Sequence, residues 1–398
     1  MLNHFSESWP GVSRPSTSFW LKASKKDVDA RDKRGHDAGE VIRFHRNALW
    51  PCGKTRMRMH RALIRLLSFA GLCACASIAL PARAQNAVEQ FYRGKTITIL
   101  IGHPAGGSYD LYARLAAAHL GRFIPGHPQI LVQSRPGGSG AGAVQFLYAF
   151  GPRDGTLLGL FTETVGLIQL SQPEIGKWRV QDFAYLGSFA NVNSAFMMRK
   201  DSAAKSVEDM RRIETKAGCN SRLGQSYVNY AVLKAYGGFK FHIVCGYPGS
   251  MEFPMVLARG EVDVISGAWN AWRRRPDVID GTLRPVIQSG LKRHSELPDI
   301  PLMQELLDDA RHKQVAEFVS SASTIGRALL VHKAVPAERI AALRQAFDEM
   351  VKDPLFIMQG ESAGAELDPA PGVDVQKISD AIVATPKEII DMAAAAQK

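Results

Sequence analysis

The sequence predicts an α/β protein of two lobes, each a mostly parallel sheet flanked by helices, and three observations carry that prediction. From Thr96 onward, short runs rich in β-branched residues and Leu alternate with helical periodicities, the pattern of successive βαβ units. The alternation starts afresh after Ser194. The 314 residues from 85 to 398 also exceed what one hydrophobic core ordinarily holds.

The elements follow in order. Thr96–Ile101 (TITILI) is apolar enough for a strand buried on both faces. Pro104, Gly106 and Gly107 break it, and from Ser108, a candidate N-cap, Leu111, Leu115 and Ala118 keep helical spacing to Phe123. Strands are then expected at Gln129–Gln133, Thr156–Phe161 and Ala184–Phe189, with helices at Gly140–Phe150 and Thr164–Ser171. In the second half, strands are expected at Ser194–Arg199, Lys216–Cys219, Lys240–Cys245, Val262–Ser266 and Leu283–Gln288. Helices are expected there at Ser206–Ile213, Gln225–Tyr236 and Ser250–Arg259. The tail returns with an apolar run at Ile325–Val331 and helices at Pro336–Lys352, Pro354–Gly360, Val373–Ala384 and Pro386–Ala396. The prolines suit first helical turns. The expected division is lobe 1 over 85–193, lobe 2 over 194–313, and a return to lobe 1 with C-terminal helices over 314–398. Rotation between the lobes is expected about the crossings near Asn193 and His312.

Residues 1–56 are polar, show no sustained period and are assigned no folded structure, as a start codon placed too early would produce. Met57 to Arg65 is then a basic n-region, Leu66 to Leu80 an apolar core and Pro81-Ala82-Arg83-Ala84 a cleavage signal, so 57–84 reads as a secretory signal peptide. A cytoplasmic extension with a membrane anchor and a lipoprotein processed at Leu72-Cys73-Ala74-Cys75 are the alternatives. Residues 1–84 hold 15 Lys/Arg against 6 Asp/Glu, so of the chain's net charge of +11 only +2 belongs to the rest. That excludes a nucleic-acid role inferred from basicity. Of five cysteines, Cys219 and Cys245 lie beyond the leader; they pair if their strands are neighbours and otherwise stand as buried thiols. Nothing in their spacing suggests a metal site.

Ligands of open parallel sheets bind beyond the C-terminal strand ends. The turns there read GHPAGGSYD (102–110), SRPGGSGAG (134–142), TET (162–164), NSRLGQSY (220–227), GYPGS (246–250) and SGAWN (266–270). They are rich in residues that present backbone amides and neutral hydroxyls. A strand running straight into a helix N-terminus over a glycine turn attracts carboxylate or phosphate, and two such rims, one per lobe, would close on a small anion. Catalytic motifs are missing: the 137–142 glycines break GxGxxG spacing, no P-loop Lys follows, and neither GxSxG nor HExxH occurs. His103 has no local carboxylate to orient it as a base. Asp110 fits the first helical turn on dipole grounds alone, and would join a site only through water or by shaping the turn. Asp263 reads as structural, Trp269 and Trp272 as a ligand cover or lobe packing, and Arg273–Arg275 as solvated surface.

From about Phe91 to the C-terminus the chain resembles the Bug-type solute-binding proteins of tripartite tricarboxylate transporters. The motifs are PAGGSYD (Pro104 to Asp110), SRPGG (Ser134 to Gly138), RDGTLL (Arg153 to Leu158), NSRLGQSY, GYPGSMEFPMVLARGEVDV and VPAERIAALRQAF. The resemblance implies a periplasmic binding protein of the type II, Venus-flytrap kind. It would be exported by cleavage near Ala84, act as a monomer without cofactor or metal, have no enzymatic activity, and deliver a small organic carboxylate to the transporter's membrane subunits. A periplasmic sensor using the same pocket, or a secreted α/β enzyme, are the alternatives. Residue by residue, Ala105, Gly106, Gly107, Ser108 and Asp110 match the first carboxylate-binding loop, and Thr162 and Thr164 its companion turn. Ser221, Gly224, Gln225 and Ser226, with Gly246, Pro248, Gly249 and Ser250, match the second-lobe loops. His103 stands where the family commonly has phenylalanine, Tyr109 where it has a smaller residue, and Ser266-Gly267-Ala268-Trp269 replaces the usual Phe-Asp-Asn segment. His103, Tyr109 and Trp269 are therefore expected to set what is bound.

Overall fold

The computed structural model describes residues 86–247 and 252–398; the leader, the signal peptide with its cleavage point, and Pro248, Gly249 and Ser250 lie outside the described residues. A helix over 86–92 (α1) leads into β1 (Thr96–Ile101), α2 (Ser108–His119), β2 (Gln129–Ser134), α3 (Ala141–Phe150), β3 (Leu157–Leu160), α4 (Val165–Ser171) and β4 (Phe183–Ser188). The second set comprises β5 (Ser194–Arg199), α5 (Val207–Arg212), β6 (Thr215–Cys219), α6 (Gln225–Tyr236), β7 (Phe241–Cys245), α7 (Phe253–Ala258), β8 (Val264–Ala268), α8 (Pro276–Ile279) and β9 (Leu283–Ser289). The chain continues through α9 (Ala310–Ser320), α10 (Ala322–Ile325), β10 (Ala328–His332), α11 (Ala337–Met350), α12 (Pro354–Ser362), β11 (Ala370–Pro371), α13 (Gly372–Val383) and α14 (Lys387–Ala396).

The strands form two sheets, ordered β11-β4-β10-β3-β1-β2 and β7-β6-β8-β5-β9. Both are mixed, which corrects the expectation of mostly parallel sheets. β1 pairs in parallel with β2 and β3, and β6 with β7 and β8, but β10 runs against β3 and β4, and β5 against β8 and β9. The reason is the route of the chain. β5 and β10 each bring it in from the other lobe, entering at the edge where the parallel strands end, so they must run in the opposite direction.

Both faces of each sheet are covered, as the apolar runs require. Ile97, Ile99 and Ile101 of β1 pack with Tyr112, Phe347 and Phe356, while Leu100 on the opposite face joins Val144 and Leu147. In β5, Phe196 and Met198 face one core and Ala195 and Met197 another, which includes Trp269 and Trp272. The aliphatic alternation follows the two-residue strand period.

The two crossing segments lie side by side. Phe189 N–H donates to Arg327 O (3.0 Å), Arg327 N–H to Ala190 O (3.1 Å) and Val192 N–H to Ser323 O (2.9 Å). The return to the first sheet is therefore at 326–327. His312 lies instead in α9, its ring 4.5 Å from that of Tyr236 on α6, a helix the sequence reading passed over because its apolar face is short. α14 packs on α6 of the second set, on α9 beside it and on α4 of the first, so it bridges both.

Cys219 and Cys245 are register partners on the adjacent parallel strands β6 and β7 and form a disulfide, with Cα atoms 4.4 Å apart. It closes a separation of 26 residues, so replacing both cysteines by alanine is expected to lower unfolding free energy by about 2–4 kcal/mol, measured as a lower urea midpoint. Gly326 adopts φ +60°, and a Cβ there would lie 1.8 Å from Ala190 O. Gly326→Ala is therefore expected to cost about 3 kcal/mol or more, read in the same urea titration; a loss below about 1 kcal/mol would mean the crossing pair yields readily.

Candidate functional site

A cleft opens between the two sheets where the parallel strands end, bounded by the β1–α2 and β3–α4 turns on one side and the β6–α6 and β8 ends on the other. Its lining includes His103, Ala105, Gly107, Ser108, Tyr109 and Thr162 from the first lobe, and Gly224, Gln225 and Ser226 from the second. The enclosed volume is about 160 Å³, the scale of a small solute.

Local backbone geometry explains why these turns converge. The N-caps of α2 and α6 are Gly107 and Gly224, and neither helix has a side-chain cap, so no side chain takes up the N–H donors of their first turns. Ser108, expected as an N-cap, is the first residue of α2 instead, and its Oγ accepts from Arg327 Nε (3.2 Å). The β1–α2 turn also abuts the 138–140 turn so closely that a Cβ on Gly102 would lie 2.4 Å from Gly140 Cα. That contact holds the two glycine-rich turns together.

Asp110 shapes the turn. Its Oδ2 accepts from Gly106 N–H (2.9 Å) and Arg114 Nε (2.7 Å), and its carboxylate does not line the cleft. Thr164 is fully buried; its Oγ1 donates to Leu223 O (3.3 Å) from the other lobe and lies 3.0 Å from Thr162 Oγ1. Ser221 Oγ lies 2.6 Å from Ser139 Oγ, again across the lobes. With Asn270 Nδ2 donating to Tyr112 Oη (3.1 Å) and His294 Nε2 2.8 Å from Glu366 Oε1, these bonds join the two rims. The Glu366 hydrogen bond holds the His294 pKa above its ordinary value. Gly106 and Gly246 do not line the cleft, and Trp269 does not either. Trp269 is packed beneath the second sheet with Nε1 donating to Glu296 Oε2 (2.7 Å), so its bulk supports the lobe rather than covering the cleft. Asp263 is structural as read, its Oδ2 accepting from Lys216 N–H (2.9 Å).

The cleft also contains what the sequence reading missed. Arg327, 3 % exposed at the side chain, reaches in from the crossing segment. Its Nη1 donates to Tyr109 Oη (3.0 Å) and to Glu163 Oε2 (3.0 Å), and its guanidinium carbon sits 4.1 Å from the Tyr109 ring centroid. Tyr109 Oη also donates to Glu163 Oε2 in a short hydrogen bond. Burial opposes the Arg327 charge, but Tyr109 and Glu163 outweigh it and hold its pKa up. His103 stacks on the Tyr109 ring, centroids 4.1 Å apart and planes 7° from parallel. Burial lowers the His103 pKa to about 4, with Glu163 partly opposing and Arg327 adding to the shift. Two signals were available: Arg327 is a lone charge at the head of an apolar run, and Glu163 sits between two threonines already singled out. Ser139, Ser194, Ser266 and Glu252 complete the polar wall. Among the described residues no cluster of His, Cys, Asp and Glu has the makings of a metal site.

No family model matches the chain. A curated relative, the UPF0065 protein in the gbd 5′ region of Cupriavidus necator, is 26 % identical over 235 residues, 57 % of this chain and 68 % of the relative. Among solved structures, the periplasmic binding protein BugD superposes with a TM-score of 0.60 at 17 % identity, covering 76 % of this chain and 98 % of that one. The chain has the fold of the Bug-type periplasmic binding proteins. Two further Bug-fold neighbours come from Rhodopseudomonas palustris. One, solved with adipate, has a TM-score of 0.59 at 21 % identity over 76 % of this chain and 97 % of that one. The other, MatC with bound malate, has 0.59 at 15 % identity over 74 % and 99 %. The architecture is the two-lobed α/β one.

His103 is neutral down to about pH 4, while the unfolded chain takes up that proton near pH 6.5. A depressed histidine pKa stabilises the folded state above the unfolded value, and that stability is lost as pH falls from 6.5 toward 4. Unfolding free energy is expected to fall by about 2–3 kcal/mol between pH 7 and 4.5 from this group. In His103→Phe that component disappears, checked by urea titration of both proteins at the two pH values.

Proposed function

We propose that the protein is an extracytoplasmic solute receptor that holds a small organic carboxylate between its lobes for delivery to a tripartite tricarboxylate-type membrane transporter. The observation that carries this reading is the pairing of two helix N-termini without side-chain caps, α2 and α6, at one cleft and from opposite lobes. Backbone donors held in place on both sides suit an anion that must be stripped of water, because charge-assisted hydrogen bonds strengthen as the cleft dries. The adipate and malate seen with two Bug-fold neighbours are carboxylates of the size this cleft admits. Ala105, Gly107, Ser108, Thr162, Gly224, Gln225 and Ser226 are the proposed contacts, with Gly106 and Asp110 acting by shaping the first loop, and Thr164 and Ser221 by joining the rims. Pro248, Gly249 and Ser250 retain the role the resemblance implies.

Binding rather than turnover is favoured by the state of the titratable groups. Glu163 is tied to Arg327 and Tyr109, and His103 is deprotonated without a carboxylate partner, so neither is poised to shuttle a proton at neutral pH. The two crossing segments would serve as the hinge, with the solute selecting the closed state by its greater affinity for it. Residues 57–84 would direct export to the periplasm.

The test is a thermal-shift panel of mono-, di- and tricarboxylates on protein stripped of ligand by unfolding and refolding. At a hundredfold excess over Kd, a binding carboxylate stabilises by about 2.7 kcal/mol, which corresponds to a Tm rise of about 4 °C. A flat response to the whole panel would remove the carboxylate reading.

A further inference from the structure

Backbone donors account for a carboxylate, but they leave a buried ion pair in the same wall without a purpose. Every side-chain hydrogen bond of that pair uses the same few atoms: Arg327 Nε goes to Ser108 Oγ, Arg327 Nη1 to Tyr109 Oη and Glu163 Oε2, and Tyr109 Oη to Glu163 Oε2. Glu163 Oε1 and Arg327 Nη2 make no hydrogen bond among the described residues, and neither is among the buried polar atoms sealed off without a partner. Both residues line the cleft. The pair therefore presents one open carboxylate oxygen and one open guanidinium nitrogen on a wall where everything else is a hydroxyl, an amide or an apolar group, apart from Glu252 and the neutral His103.

We infer that the solute carries an ammonium group beside its carboxylate, and that Glu163 is the residue that selects it. The inference rests on the carboxylate reading above and adds to it. With His103 neutral, Glu163, Glu252 and Arg327 leave the cleft wall with one net negative charge before anything binds. A second carboxylate on the solute would raise that charge, whereas an ammonium group offsets it. Closure also removes water from Glu163 Oε1, and a charged oxygen that loses water without gaining a donor is costly. An ammonium group placed there restores the bond. Arg327 Nη2 stands ready for a carboxylate oxygen of the same solute, so one ion pair meets both charges of a zwitterion.

The experiment uses pairs of carboxylates that differ only by an α-ammonium group: propionate and alanine, succinate and aspartate, glutarate and glutamate, 3-phenylpropionate and phenylalanine. Each is titrated calorimetrically into ligand-stripped wild-type protein, with malate as a hydroxyl control beside aspartate. In every pair that binds, the ammonium-bearing member is expected to bind about tenfold tighter or more. Glu163→Gln is expected to shrink that preference to about threefold or less. Should the substitution prevent folding, Glu163→Gln combined with Arg327→Gln removes both charges together and carries the same expectation. Binding of the unaminated members, or of malate, as tight as that of their ammonium counterparts would overturn the inference while leaving the carboxylate reading standing. A preference that persists in the variants would overturn the role of Glu163. If no member of the series binds while another carboxylate of the thermal-shift panel does, the ammonium inference falls and the carboxylate reading stands.

Discussion

The structure depends on the backbone pairing between the segments 189–192 and 323–327. Three hydrogen bonds hold the outgoing and returning chains side by side, and everything placed in the cleft is referred to that pair. It fixes the direction in which β5 and β10 enter their sheets, and hence why both sheets are mixed. It also places Arg327, the first residue past a tightly packed glycine, at the floor of the cleft rather than in solvent. Arg327 contributes backbone N–H and C=O to the crossing and its guanidinium to the cleft wall. The crossing and the cleft are thus linked through one residue.

A lone guanidinium at 3 % exposure would be costly, and the fold supplies its partners from two different strand-to-helix turns. Ser108 and Tyr109 come from the turn after β1, Glu163 from the turn after β3. The returning chain and the first-lobe loops consequently stabilise one another. The disulfide plays a corresponding part in the second lobe, tying the ends of β6 and β7 where the chain leaves for the 220–224 turn. Each side of the cleft therefore has a constraint directly beneath its glycine-rich turn.

Much of this was legible in the sequence, and the limits have physical causes. β1, α3, α6 and the C-terminal helices follow from local periodicity and proline placement, signals carried by the residues themselves. The PAGGSYD turn was readable for the same reason, since a strand, a glycine break and a helix start are all local. What local pattern does not carry is direction and distance: the antiparallel entry of β5 and β10, the pairing of Cys219 with Cys245, and the crossing at Gly326 rather than near His312 each depend on which strands become neighbours. Trp269 illustrates the limit from the other side. An aromatic beside a cleft-bound strand reads equally as cover or support, and only the hydrogen bond of its indole to Glu296 and its burial under the sheet decide for support.

His103 and Tyr109 stand apart from the family pattern as two separate residues in the sequence, but in the structure they are one unit with Arg327. The imidazole centroid and the guanidinium carbon each lie 4.1 Å from the Tyr109 ring centroid. A protonated imidazole would bring a second cation against a ring that the guanidinium already contacts. The low His103 pKa is what such a stack requires, with burial as its main cause and Arg327 adding to it. A phenylalanine at 103 would preserve the stack but lose the ring nitrogens, and a smaller residue at 109 would leave Arg327 and Glu163 without the hydroxyl that both contact. The two departures are coupled to a third and fourth residue, and together they give one side of the cleft a wall bearing both signs of charge.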